Sequence, residues 1–123
     1  DTLSITEMLQ HMSLAQKYMD QSLLNCKNEK EQARLMAADR RLDYGVKMYN
    51  FLYHLTRTSM LYHDDKDTLA KAEFKKTAKY AQLLKNITEM TNVTYNFSTT
   101  EKNAFTATQA IHIYKFFQKR YAD

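Results

Sequence analysis

The chain has 123 residues, a formal net charge of +4, one cysteine, one glycine and no proline. That length bounds one domain able to bury its own core, and the lack of proline and glycine disfavours strands and tight turns. No apolar run approaches the ~18 residues that a spanning helix needs, so the sequence predicts no integral membrane association, and the mild charge permits an anionic partner without demanding one.

The first predicted helix runs from Ile5 to about Lys27. Ser4 with Glu7 forms a capping box, and Ile5, Leu9, Met12, Met19, Leu23 and Cys26 form the apolar seam. The second helix, about 28–64, is the centrepiece. Asn28 with Glu31 supplies its start signal, and Ala38, Leu42, Gly45, Tyr49, Leu52, Leu55, Ser59 and Tyr62 recur at steps of three and four. One helix of that length reaches on the order of 50 Å. Gly45 lies on its apolar stripe, where glycine costs roughly 1 kcal/mol against alanine. Two readings offset that cost: close approach of a neighbouring helix, or a bend that folds the long helix back.

His63-Asp64-Asp65-Lys66-Asp67 breaks the pattern, and a third helix is predicted from about Thr68 to Thr91 with Leu69, Ala72, Tyr80, Leu83, Ile87 and Met90 inward. Asn92–Thr99 reads as an ordered loop carrying Val93, Thr94, Tyr95 and Phe97. Ser98 with Glu101 starts the fourth helix, with Ala104, Phe105, Thr108, Ile111, Tyr114 and Tyr121 inward. Four amphipathic helices with short connections give an all-α fold, an antiparallel four-helix bundle forming a single domain over residues 1–123.

Three groups of residues carry functional expectations. Phe51, Leu52 and Tyr53 are consecutive and point about 100° apart, and Ile111, Ile113, Tyr114, Phe116 and Phe117 also cover more than one stripe. Helices apolar on several faces present surplus surface, so Phe51, Tyr53, Phe116 and Phe117 are candidates for binding a partner protein or a second copy. Lys71, Lys75 and Lys79 form a basic ridge that, with Arg40 and Arg41, makes nucleic-acid binding the runner-up, although Asp67, Glu73, Asp39 and Asp43 dilute it.

The third group is Arg57 and His63, separated by five residues. Their spacing resembles the Arg-x(4–6)-His motif of HEPN-type ribonucleases, which are also helical bundles. The resemblance covers that one motif and the fold class, and it implies a dimer in which arginine stabilises charge on the scissile phosphate and histidine moves the proton. An interaction module, without enzymatic activity, is nonetheless the leading expectation.

No His-x-x-x-His, Cys–His or Glu-x-x-His spacing points to a metal, and one glycine cannot build a phosphate loop, so no cofactor is expected. Cys26 alone favours a cytoplasmic, reducing setting. Three Asn-x-Ser/Thr triplets at Asn86, Asn92 and Asn96, and a chain that opens on Asp1 rather than methionine, are the features that fit secretion.

Overall fold

The computed structural model describes residues 5–91 and 107–122. It is all-helical, with α1 (Ile5–Asn25), α2 (Glu29–His63), α3 (Asp67–Thr91) and α4 (Ala107–Arg120), and no strand among the described residues. The expected loop at Asn92–Thr99, the start of the fourth helix near Ser98 and the inward placing of Ala104 and Phe105 lie outside the described residues. So do the expected positions of the Ile5, Ile87, Met90 and Thr108 side chains. No helix among the described residues is long and apolar enough to cross a membrane. The chain divides into two compact units, Asp1–Asn50 and Phe51–Asp123, with the boundary inside the uninterrupted α2.

In the first unit, α1 and the N-terminal part of α2 are paired through partly buried side chains. Leu9, Met12, Met19 and Leu23 on α1 are half-buried, as are Ala38, Leu42, Gly45 and Tyr49 on α2, matching the two predicted seams. Gln16 donates from Nε2 to Asp39 Oδ1 at 2.6 Å. A Cβ placed on Gly45 would meet Met12 Cε at 3.6 Å, ordinary van der Waals distance against a flexible tip. Asn28 caps α2 as expected, its Oδ1 accepting from the Lys30 and Glu31 amides at 2.8 and 3.3 Å.

The second unit holds a true interior. Phe51, Leu55, Ala70, Phe74, Leu84, Ala110, Phe117 and Tyr121 are buried, and Thr58 and Thr77 are fully enclosed. Four of these ten are aromatic rings. Phe74 lies 5.3 Å from Tyr114, 6.1 Å from Phe117 and 6.0 Å from Tyr121, while Tyr62 meets Phe116 and Phe117 edge-on, both at 5.5 Å. Such geometries add roughly 0.5–1.5 kcal/mol per pair beyond the area removed from water.

Two local devices shape this unit. After α2, the Lys66 amide bonds the Leu61 carbonyl at 2.9 Å and the Asp65 amide bonds that of Tyr62 at 3.1 Å. This is a Schellman ending with Asp65 at φ 60°, a left-handed position that usually takes glycine but that aspartate tolerates. At the start of α3, Asp67 accepts from Tyr121 Oη at 2.8 Å and from Arg120 Nε at 3.1 Å. Those contacts hold its carboxyl below the usual range, the Tyr121 hydrogen bond first and that of Arg120 second. Arg120 also lies over the Tyr62 ring at 4.8 Å.

Several inward assignments are corrected. Leu69, Ala72 and Ile111 are exposed. Phe74 takes the interior of α3, and Leu69, five residues earlier, sits about 140° round the helix from it. On α4 the interior goes to Ala110, Phe117 and Tyr121, which leaves Ile111 about 120° away from Phe117.

Candidate interaction groove and the Glu73 cluster

The four aromatic candidates are placed differently from one another. Phe51 and Phe117 are core, 7% and 2% exposed, so neither is the surface residue that the sequence suggested. The reason is packing: Phe51 stands 5.5 Å from Tyr114, and Phe117 is stacked on Tyr121 at 5.8 Å. Tyr53 is half-buried, while Phe116 is 50% exposed.

Phe116 forms one lip of an apolar groove within the second unit. One cavity of about 320 Å³ is lined by Leu55, Thr56, Ser59, Met60, His63, Asp64 and Ile113. An adjoining cavity of about 300 Å³ shares Ser59, His63 and Ile113 and adds Tyr62, His112, Phe116 and Phe117. The groove follows from helical geometry. Ser59, His63, Thr56 and Met60 fall on the flank of α2 next to its buried stripe, and Ile113 and Phe116 on the matching flank of α4. Met60, 60% exposed, is the opposite lip. A concave, mostly apolar channel with few polar groups is the usual form of a binding site.

On the other side of α2 lies a charged cluster. Glu73, 6% exposed, accepts from Arg57 Nε at 2.9 Å and from His54 Nδ1 at 3.0 Å, and Lys76 Nζ stands 3.6 Å away. A histidine bonded to a carboxylate in this way carries its proton on Nδ1. Burial pushes the Glu73 carboxyl up, but the hydrogen bonds from His54 and then Arg57 outweigh it and hold the group below its ordinary value. Arg57 is raised, chiefly by the same bond to Glu73. His54 is stacked on Tyr80 at 5.6 Å. Beside the cluster, Thr58 donates to the His54 carbonyl at 2.7 Å and lies 3.5 Å from the Thr77 hydroxyl.

This arrangement separates Arg57 from His63. They sit about 120° apart around α2, Arg57 turned to Glu73 and His63 lining the groove. Glu73, read in the sequence as an acid diluting the lysine ridge, is instead turned inward. Lys71, Lys75 and Lys79 are exposed along α3, with Lys79 over the Tyr80 ring at 5.7 Å. Arg40 and Arg41 are exposed on the part of α2 in the first unit. No group of three or more His, Cys, Asp or Glu among the described residues could hold a metal ion.

The sequence reading missed His54, Thr58, Glu73, Thr77 and Met60. A signal for the enclosed pair was available: Thr58 stands three residues after Leu55, and Thr77 three after Phe74, so each continues an apolar stripe. No family model, curated protein or solved structure matches this chain.

Proposed function

We propose that this chain is a non-enzymatic helical interaction module that docks a partner protein in the groove between α2 and α4, with Phe116 as the anchor. The observation that carries it is a half-exposed phenylalanine facing an exposed methionine across two adjoining apolar cavities. Aromatic anchors beside preformed pockets contribute most of the free energy at typical interfaces, and methionine adapts to varied shapes. The expected antiparallel bundle, with Gly45 at a close approach or a bend, belongs to the same reading. It is supported within each unit by contacts whose numbers rise on one helix as they fall on the next, such as Met12–Gly45 and Gln16–Asp39, or Glu73–Arg57 and Tyr80–His54.

Phe116→Glu tests it. The variant is expected to keep its helical circular dichroism and to lose binding of amphipathic helical peptides, or self-association seen as mass in solution. A variant that unfolds would make Phe116 a fold residue and end the reading.

The second reading, nucleic-acid binding, is favoured by the exposed Lys71, Lys75 and Lys79 along one face of α3. Affinity would then fall steeply with salt, and Lys75→Glu would weaken binding to all sequences alike. Salt-independent or undetectable binding rules it out. The ribonuclease reading requires a second copy to supply whatever faces His63, since Arg57 is engaged with Glu73 in the same chain.

A further inference from the structure

We infer that the occupant of the α2/α4 groove is an acidic amphipathic helix of a partner protein. The inference rests on the interaction reading above and adds the chemistry of what docks.

The floor and lips set the shape of the occupant. Two adjoining cavities along a channel between two helices suit successive apolar side chains of a third helix, projecting from one face at steps of three and four. The apolar floor at Leu55 and Ile113 would leave a nucleic-acid strand with nothing to pair against.

Charge then selects among helices. The second unit carries eleven Lys and Arg against seven Asp and Glu, whereas the first carries seven of each, so the whole net charge of the chain belongs to the unit that holds the groove. Helix α4 contributes Lys115, Lys119 and Arg120 and no acid. Arg120 is engaged by Asp67, but Lys119 lies within about 60° of both Phe116 and His112 around α4, on the outer lip, with Lys115 one turn earlier. The opposite lip, Thr56, Ser59 and Met60, is uncharged, and Asp64 is the one acid lining the channel. A second copy fits this surface less well. An isologous contact through the groove would set Lys115 and Lys119 of each copy against the same lysines, a like-charge juxtaposition that disfavours association.

Three fluorescein-labelled synthetic helices test the inference with the full chain by anisotropy. They share one apolar face and carry Glu, Gln or Lys on the polar face. The Glu peptide is expected to bind best, with affinity falling as salt rises. The Lys115→Glu/Lys119→Glu variant should weaken it about tenfold, without loss of helicity, and should improve binding of the Lys peptide. Equal binding of all three overturns the acidic occupant and leaves the interaction reading standing. So does failure of all three when the chain is a dimer in solution that Phe116→Glu dissociates. Failure of all three with a chain that stays monomeric overturns both.

Discussion

The two units are made of similar helices, yet every fully buried side chain among the described residues falls in the second. The first shows only half-buried seams and leaves Leu14, Tyr18, Leu24 and Met36 exposed. Aromatic supply accounts for much of the difference: among the described residues, all four phenylalanines and five of the eight tyrosines lie beyond Asn50. Number of helices accounts for the rest. A pair of helices shares one seam with water on both sides, whereas contributions from α2, α3 and α4 enclose a space that water does not reach. Interior order in this molecule therefore depends on rings and on a third helix, and not on apolar content alone.

The largest expected effect would break this contrast outright. Phe74→Ala should destabilise by about 3–5 kcal/mol, as large-to-small changes in a packed interior do. The matched change in the first unit, Leu23→Ala, should cost about 1 kcal/mol, the ordinary value for a side chain that is not enclosed. Urea unfolding of both variants measures the difference, and equal losses would show that the first unit is as well packed as the second.

Next comes the charged cluster. Glu73→Gln leaves His54 and Arg57 without their carboxylate and should cost about 1–3 kcal/mol near neutral pH. Because Glu73 is depressed in the folded protein, its contribution is present above the unfolded carboxylate value of about 4.3 and is lost as pH falls through the lower folded value. Acid unfolding of the Gln variant should accordingly be shallower in that window. A variant with an unchanged acid profile would mean that the cluster contributes nothing to the pH dependence of the second unit.

The smallest effect sharpens the picture of the first unit. Gly45→Ala should raise stability by up to about 1 kcal/mol, since the added methyl meets only the mobile end of Met12 at ordinary distance. A loss measured by thermal unfolding would instead show that α1 needs the closer approach.

Much of the fold was legible because helix periodicity is a local property. The α1 seam, the Asn28 cap and the break after His63 were all read from spacing and residue type, and the boundaries of α1, α2 and α3 moved by only one or two residues. Which apolar residue wins the interior is not local. Leu69 read as a core position on its helix and Phe74 did not, and it is the rings of Tyr114, Phe117 and Tyr121 that reverse the two. The candidate groove was half legible for the same reason: Phe116 emerged as surplus surface, but Phe51 is taken up by Tyr114, and Phe117 by the distant Tyr62 and Phe74 as well as by nearby Tyr121. Glu73 was illegible, because an acid among lysines reads as solvated until His54 and Arg57 are known to face it.

That buried carboxylate has a further consequence, for how α2 and α3 are threaded past one another. Rings and aliphatic chains tolerate sliding, since one apolar neighbour replaces another at little cost. A shift of α3 along α2 by a single turn, about 5.4 Å, would cost Glu73 one of His54 and Arg57, which stand about one turn apart on α2, and leave a buried carboxylate with fewer donors. A single acid thus favours one axial registry of α3 on α2, the one that keeps both of its donors.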